Sequence, residues 1–248
     1  MKAVDLNCDL GEGCGNDREI MKYISSANIA CGFHAGTAST MRVTAEMAVE
    51  NGVAIGAHPS FPDRENFGRL PMSLPLEEIF DIVLHQVGAM AAVCRSVGTR
   101  LRHVKPHGAL YNQSANDAEL AAEIAKAVKA VDEGLVLYGL SGSLSIAEAE
   151  KVGLRTASEV FADRTYCSDG RLTPRSEPNA LIDDIQGAVE QVLQMVLSEN
   201  VTSTERKALP IVADTVCIHG DGPHAVEFAK ALREALSREG IAIQSVNG

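Results

Sequence analysis

Residues 54–60 read AIGAHPS, an apolar run that ends in a histidine before a proline, and three other stretches repeat the pattern. They are ACGFHAG at 30–36, VKPHGAL at 104–110 and VCIHGDG at 216–222. An apolar run that breaks into a loop in this way is typical of the C-terminal end of a buried parallel strand. In an α/β barrel those ends share one face, which carries the chemistry. The pattern therefore predicts one site formed by His34, His58, His107 and His219.

Strand-like and helix-like segments alternate along the chain. The predicted strands cover 2–8, 27–32, 53–57, 101–106, 135–140, 154–160 and 214–219, with a short last strand at 241–246. The clearest helical patterns are 74–97, capped by Ser73 and ended by Gly98, and 223–239, which opens with Pro223 and closes at Gly240. These βα units show no break in composition, and polar residues follow nearly every strand. The sequence thus predicts one domain over 1–248, a single α/β barrel of about seven parallel strands.

Composition narrows the class of partners and the compartment. Of 248 residues, 46% are hydrophobic, and the formal net charge is −11. An acidic surface argues against nucleic acid or an anionic membrane as the main partner. The six cysteines form no CxxC pair, no signal-peptide core opens the sequence, and no run approaches the roughly 20 apolar residues of a membrane span. We therefore expect a cytoplasmic protein with reduced thiols.

The first predicted strand runs into DLNCDLGEG at 5–13 and carries polar residues at every second position. Alternation places Asp5, Asn7 and Asp9 on one side of the strand. Polar groups on a buried strand need a partner or a function. Asp9 and Glu12 are therefore candidate acid–base or metal-binding groups. The alternative for Asp9 is a loop cap that accepts hydrogen bonds from backbone amides.

Asp9, His34 and His58 can form an Asp/His/His set of ligands for zinc or manganese with one position left for water. No compact motif such as HExxH supports that metal site. The slightly favoured alternative is that the two histidines donate hydrogen bonds to a substrate. A third alternative is that they only hold loops in place.

Cationic side chains follow the fourth and sixth predicted strands. Lys105 and His107 point the same way by alternation, which suits binding of a carboxylate or phosphate or stabilisation of a developing oxyanion. The structural alternative for Lys105 is an ion pair with Asp9 or Glu159. Two long loops, 59–73 and 161–178, are rich in Pro, Gly, Asp and Arg and resemble lids or substrate-binding segments. The second loop carries Asp163, Arg164, Arg171 and Arg175, which favour an anion site over a merely solvated loop.

Two predicted helix starts can bind phosphate through backbone amides. One includes Gly142 and Ser143, and the other includes Gly220, Asp221 and Gly222. The sequence contains no GxxxxGK[ST] motif, no GxGxxG after a strand and no GxSxG elbow. A P-loop nucleotide site is therefore excluded, and the sequence offers no nucleophile elbow of the α/β-hydrolase type.

Six ordered motifs together carry a resemblance to a known family. They are DLNCDLGEGCG (5–15), SANIACGFHAG (26–36), GAHPSFPD with NFGR (56–69), VKPHGALYN (104–112), SEVFADRTYCSDGRLTPR (158–175) and VCIHGDGPHAV (216–226). Over about residues 5–235 the chain resembles the LamB/YcsF family, whose members form the A subunit of a bacterial ATP-dependent 5-oxoprolinase. Three positions depart from the family pattern. Thr37 stands where the family usually has Asp, Leu70 where a second Arg is common, and Gly222 where Thr is common.

The resemblance implies a barrel of the glycoside hydrolase/deacetylase type and conversion of 5-oxo-L-proline, ATP and water to L-glutamate, ADP and phosphate. It also implies partner subunits B and C, with Mg²⁺ accompanying the ATP, and a homo-oligomer is compatible with it. The catalytic candidates are Asp9, His34, His58, Lys105, His107, Glu159 and His219. The candidates for substrate binding are Asn7, Glu12, Asp163, Arg164 and Arg175. Two alternatives remain: a metal-dependent deacetylase or carbohydrate hydrolase, and a noncatalytic regulatory subunit.

Overall fold

Seven parallel strands close into a barrel in a computed structural model of the protein, which describes residues 2–218 and 225–246. The strands, barrel and non-barrel, are β1 Ala3–Leu10, β2 Ser26–Ala30, β3 Ala54–His58, β4 His103–Val104, β5 Val136–Leu140, β6 Arg155–Phe161, β7 Asn200–Thr202, β8 Ala208–Pro210, β9 Thr215–Ile218 and β10 Ala242–Ile243. The barrel consists of β1 to β6 and β9. β1 pairs with both β2 and β9, which closes the sheet on itself. The expected seven-stranded α/β barrel is confirmed.

Helices surround the barrel and connect its strands. They are α1 Asp17–Ile20, α2 Ala38–Asn51, α3 Leu76–Ser96, α4 Gly108–Ser114, α5 Ala118–Val131, α6 Leu144–Lys151, α7 Ile185–Ser198 and α8 Ala225–Arg238. Thr37 caps α2 in a reciprocal pair with Thr40, so the departure at Thr37 still serves the helix start. The prediction for the start of α3 was wrong, because Pro75 and not Ser73 occupies the N-cap position. Proline suits a helix start because it has no N–H to leave unpaired.

Each of the eight predicted strands is present and in the predicted order, with small errors at the ends. β10 pairs with the start of β1 and confirms the short last strand. The antiparallel hairpin of β7 and β8 was not predicted from the sequence. β4 is shorter than predicted, although the backbone N–H groups of Arg102 and Lys105 extend its pairing by donating to Ile55 and Ala57.

Helix α3 corrects the expectation that no run in the sequence approaches the length of a membrane span. Its 21 residues are long and apolar enough to cross a membrane by length and composition alone, and it is the one such helix among the described residues. Its buried side chains, Ile79, Val83, Val87, Met90 and Cys94, recur at helical spacing and join the hydrophobic core. This helix therefore packs as an outer helix of the barrel.

The apolar core lies between the outer face of the barrel and the surrounding helices, and much of the barrel's interior is polar. Outward-facing Leu6, Cys8 and Ile29 belong to the large apolar cluster that the surrounding helices complete. The inward positions of the same strands hold Asn7 and Asn28, both fully buried. Apolar layers usually fill such a barrel. A polar interior is stable only when its groups satisfy one another, so the hydrogen bonds inside the barrel determine the geometry of the site.

Candidate active site at the barrel mouth

The lowest polar layer is organised around Asp5. Its carboxylate accepts hydrogen bonds from the hydroxyls of Ser25 at 2.6 Å, Ser26 at 2.7 Å, Thr215 at 2.6 Å and Tyr138 at 3.0 Å. Burial raises the pKa of Asp5, and the four hydroxyl donors oppose that shift. Asp5 therefore ties four segments of the barrel together at the base of the site.

The middle layer is a chain of amide, imidazole and carboxylate groups. Asn7 Nδ2 donates to Glu159 Oε1 at 2.9 Å, and Asn28 Nδ2 donates to Asn7 Oδ1 at 2.7 Å. His103 Nε2 lies 2.7 Å from Asn28 Oδ1, and burial lowers the pKa of His103 to about 3. The ring is therefore neutral and donates from Nε2. Gly56 makes room for it, because a Cβ there would overlap the His103 ring.

Lys105 joins the middle layer to the mouth. Its Nζ lies 2.9 Å from Asp9 Oδ1, 3.0 Å from Glu159 Oε1 and 3.0 Å from Cys217 Sγ. Burial alone would lower the pKa of Lys105, but its anionic neighbours outweigh burial and raise it. Burial raises the pKa of the Cys217 thiol, which is therefore neutral, so the attraction comes from the two carboxylates. The structural alternative for Lys105, an ion pair with Asp9 or Glu159, is thus realised with both.

Three of the four strand-end histidines meet at the mouth. The rings of His34 and His107 stack with centroids 3.8 Å apart, and His58 stands edge-on to both. Their convergence is confirmed. His219 lies outside the described residues, as do Gly220, Asp221 and Gly222 of the predicted phosphate-binding segment.

Backbone carbonyls fix how His58 and His107 face each other. His58 Nδ1 lies 2.7 Å from the carbonyl oxygen of Lys105, and His107 Nε2 lies 2.8 Å from that of Phe67. Both outer nitrogens must therefore carry hydrogen, and the inner nitrogens, His58 Nε2 and His107 Nδ1, face each other at 2.9 Å. Burial lowers the pKa of His107. Burial also acts to lower the pKa of His58, but the charge and hydrogen bond of Asp9, 3.3 Å away, together with the charge of Glu12 outweigh it and raise that pKa. The proton between the two rings belongs to His58.

Glu12, rather than Asp9, is the carboxylate that meets all three rings. Its Oε1 lies 2.9 Å from His34 Nε2, 3.5 Å from His107 Nδ1 and 3.8 Å from His58 Nε2. Burial lowers the pKa of His34 to about 2, so that ring is neutral. These four residues form a group able to hold a metal ion, with all ligand atoms within 4.8 Å of one another. This group differs from the predicted set of Asp9, His34 and His58 in that Glu12 and His107 join the two histidines, while Asp9 Oδ1 accepts hydrogen bonds from Lys105 and Asn28.

A cavity of about 510 Å³ opens above the carboxylates, Lys105 and the histidines at the barrel mouth. The floor is formed by Asp9, Glu12, His58, Lys105 and His107. Tyr111, Leu140, Phe161 and Leu172 supply apolar wall, and Arg69, Arg164, Arg171 and Arg175 supply positive charge. The cavity thus combines apolar walls, buried acid–base groups and guanidinium groups, the combination expected of a site for a small anionic ligand.

Arg164 anchors the loop that carries most of this positive charge. It is buried and donates from Nη2 to the Thr173 carbonyl at 2.6 Å and from Nε to the Ala180 carbonyl at 3.3 Å. Burial and the nearby charge of Arg175 lower the pKa of Arg164 to about 10, so it stays cationic at neutral pH. The loop therefore presents a fixed guanidinium to the cavity, together with the exposed side chain of Arg175.

Several other predicted residues lie away from the cavity surface. Asn7 and Glu159 are buried beneath Lys105, where they position its ammonium group. Asp163 is half-buried, and Gly142 and Ser143 precede α6; none of these three is among the residues that line the cavity.

Sequence reasoning missed Asn28, His103, Cys217 and Arg69. Asn28 had a usable signal, because it alternates with Ser26 on β2 as the polar residues of β1 alternate. His103 had the same signal, because it alternates with Lys105 and His107, whereas Cys217 and Arg69 had no pattern that marked them as site residues.

The fold and the site together define an α/β-barrel protein with acid–base and cationic groups at its mouth. The LamB/YcsF family profile matches residues 4–248. The chain belongs to the LamB/YcsF family.

Relatives and solved structures agree with that family. The chain is 54% identical to the A subunit of 5-oxoprolinase from Bordetella pertussis over 248 residues, which cover 98% of each chain. It resembles the crystal structure of a lactam utilization protein from Thermus thermophilus, with a TM-score of 0.93, 46% identity, and coverage of 99% of this chain and 100% of that one. A T48 deacetylase with substrate shares the fold alone, with a TM-score of 0.54, 14% identity, and coverage of 99% of this chain and 89% of that one.

Proposed function

We propose that the chain acts as the A subunit of a 5-oxoprolinase and binds the lactam at its barrel mouth while ATP hydrolysis drives opening of the ring amide. The names of its relatives support the substrate class. The observation that carries the proposal is the buried group of Lys105, Asp9 and His58 on the floor of an arginine-rimmed cavity.

The chemistry of 5-oxoproline suits this cavity. The molecule carries one carboxylate and one cyclic amide on a small apolar ring. Guanidinium groups such as those of Arg164 and Arg175 bind a carboxylate through two parallel N–H donors. The cavity, at about 510 Å³, exceeds the needs of this small lactam and leaves space for a phosphate group beside it.

The reaction needs activation because a lactam is a resonance-stabilised amide. Transfer of the γ-phosphoryl group of ATP to the lactam oxygen releases ADP and makes the ring carbon electrophilic. One water then adds to that carbon, and the C–N bond breaks to give an acyl phosphate and a free amine. A second water cleaves the acyl phosphate, which yields L-glutamate and phosphate.

The residues on the floor have roles that follow from their charges and contacts. Asp9 is the base for the attacking water, since its carboxylate pairs with Lys105 and lies on the cavity surface. Lys105 stabilises the negative charge of the phosphoryl group that the lactam oxygen carries. His58, which carries the proton shared with His107, protonates the departing amine nitrogen. Glu159 and Asn7 keep Lys105 in place.

In this proposal, other subunits bind the ATP. The sequence has no P-loop, and the predicted phosphate-binding residues Gly142 and Ser143 do not line the cavity. We assign ATP and its Mg²⁺ to partner subunits B and C, with the phosphoryl group meeting the lactam where the complex closes over the barrel mouth.

The test is ATP-dependent release of glutamate by the reconstituted three-subunit complex. Asp9→Asn and His58→Ala should each lower kcat by at least about 100-fold, because each removes a proton-transfer group. His85→Ala, at an exposed position on α3, is the matched control and should leave kcat unchanged. Unchanged turnover in both site variants, or full activity of this chain without partners, would refute the proposal.

A metal-dependent hydrolase remains the second candidate function, and the Glu12 and histidine cluster favours it. Activity on N-acetyl sugars, with none on 5-oxoproline in the reconstituted complex, would establish this candidate in place of the first. The regulatory alternative predicts a different result: weak effects of every floor substitution on kcat together with loss of complex assembly.

A further inference from the structure

We propose that Glu12, His34, His58 and His107 bind one divalent transition-metal ion of the zinc type at the barrel mouth. The proposal goes beyond the proposed function and does not rest on it, because the ligand set follows from the geometry alone. The ion would lie on the cavity floor, next to Asp9 and the other groups assigned to catalysis.

The spacing of the ligand atoms is close to that of a tetrahedral site. Metal bonds of about 2.0–2.1 Å place tetrahedral ligand atoms about 3.4 Å apart. Glu12 Oε1 lies 2.9, 3.5 and 3.8 Å from the inner nitrogens of His34, His107 and His58. The nitrogens of His58 and His107 are 2.9 Å apart. These separations lie on both sides of the tetrahedral value, and all four ligand atoms lie within 4.8 Å of one another, so the set must contract before it holds an ion.

The hydrogen bonds behind two of the rings direct their lone pairs toward this point. Metal-binding histidines usually donate their other N–H to a carbonyl or carboxylate, which fixes the tautomer and the ring orientation. His58 does so to the Lys105 carbonyl, and His107 does so to the Phe67 carbonyl. Two facing lone pairs 2.9 Å apart require a cation between them. A proton can bridge these two nitrogens alone, whereas a metal ion can also bind Glu12 and His34.

The shared proton and the ion are alternative occupants of the same position. His58 can therefore donate a proton to the amine only while the ion is absent. With the ion bound, the three inner nitrogens and the Glu12 carboxylate are its ligands, and the outer N–H groups keep their carbonyl partners. The carbonyl contacts thus serve both forms of the site.

The chemical nature of the four ligands determines which metal ions the site favours. Imidazole nitrogens suit zinc and its neighbours, whereas magnesium and calcium prefer sites built from oxygen. Three imidazoles and one carboxylate therefore favour zinc or cobalt over the magnesium that accompanies ATP. Glu12, His58 and His107 line the cavity, so an ion held there would face a bound ligand and polarise an oxygen of it.

The experiment measures metal binding without reference to activity. The full chain is stripped with a chelator and titrated with Co²⁺, whose visible absorption reports coordination, and with Zn²⁺ in competition. We expect one ion per chain. His107→Gln and Glu12→Gln should each weaken binding by at least about 10–100-fold, and His85→Gln should not change it, since His85 lies exposed on α3.

Two results would overturn the metal site. One is the absence of saturable binding by the intact chain. The other is binding that both cluster variants retain at full affinity, which would indicate adventitious surface sites. Folding is checked by circular dichroism, and the thermal midpoint of the intact chain should rise with added Zn²⁺ even if a variant does not fold.

The metal site and the proposed function can fail separately. Metal binding without lactam activity in the reconstituted complex would contradict the proposed function alone. Lactam activity in a complex whose barrel chain binds no metal would contradict the metal site alone.

Discussion

At the residue scale, Lys105 is the group on which the interior of the barrel depends. One ammonium balances two carboxylates, Asp9 and Glu159, neither of which is exposed. Removing one partner from a buried ionic group leaves an uncompensated charge, which costs far more than the pair contributes when intact. The same contacts hold the ammonium at the floor of the cavity, so stability and the proposed catalysis share this residue.

Lys105→Met should lower the free energy of unfolding by about 3–5 kcal/mol, since it leaves both carboxylates without their cation. Urea denaturation measures the change. Lys126→Met is the matched control, because Lys126 pairs with Glu123 on the surface of α5 and should cost less than about 1 kcal/mol. Equal losses in the two variants would show that the buried network is not strongly coupled.

His103 gives the protein a dependence of stability on pH. Burial lowers the pKa of His103 to about 3 in the folded state, whereas an unfolded histidine titrates near about 6.5. Below that higher value the unfolded chain takes up a proton that the folded chain does not, so stability falls as the pH falls toward 3. The titration of His103 alone should lower the free energy of unfolding by about 2 kcal/mol between pH 6.5 and 5.

His103→Asn should therefore flatten the acid limb of the stability curve. The measurement is the free energy of unfolding at pH 7 and at pH 5 for both proteins. We expect the difference between the two pH values to shrink by about 2 kcal/mol in the variant, whatever its stability at pH 7. An identical pH slope in both proteins would mean that His103 titrates normally in the fold.

At the scale of elements, β1 and β2 explain why part of the site is predictable. Strand alternation has a period of two, so Asp5, Asn7 and Asp9 had to share one face, and the structure places all three inside the barrel. The strand-end positions of His34, His58 and His107 follow from the same logic. Residues on regular strands were therefore predictable as a group.

Glu12 shows where such prediction ends. It lies between Gly11 and Gly13, whose φ angles are 73° and 88°. Left-handed glycines turn the chain freely, so neither strand nor helix periodicity fixes where Glu12 points. Its place among the histidines depends on tertiary contacts. The β7–β8 hairpin escaped prediction for a related reason, since its strands are three residues each and lack an apolar run.

At Gly56 on β3, the absence of a side chain makes room for the ring of His103 on the neighbouring strand β4. A Cβ at Gly56 would overlap the ring of His103, so Gly56→Ala must displace a fully buried side chain and break its hydrogen bond to Asn28. We expect a loss of about 1–3 kcal/mol or more in the free energy of unfolding. Gly88→Ala is the control, because its Cβ would meet nothing within 4 Å in α3 and should be neutral or stabilising. Equal effects of the two substitutions, measured by urea denaturation, would contradict the packing described for the barrel interior.

At the scale of the whole molecule, the polar interior and the arginine rim make one continuous path from the base of the barrel to solvent. Hydrogen bonds run from Asn28 through Asn7 to Lys105, and the cavity opens directly above that ammonium. A protein with a formal net charge of −11 thus places four arginines around the cavity that an anionic ligand would enter. The fold class and the location of the mouth could be predicted from the sequence, because both follow from the order of strands and helices. The depth of the polar network could not, because it depends on side chains that meet only after the barrel closes.

The location of bound 5-oxoproline tests the central claim most directly. A crystal structure of the chain, alone or with partner subunits, in the presence of 5-oxoproline and a nonhydrolysable ATP analogue would measure it. We predict that the lactam oxygen lies within hydrogen-bond distance of Lys105 or His58 and that the carboxylate contacts Arg164 or Arg175. A lactam bound wholly on a partner, with the barrel mouth of this chain holding no part of it, would contradict the account.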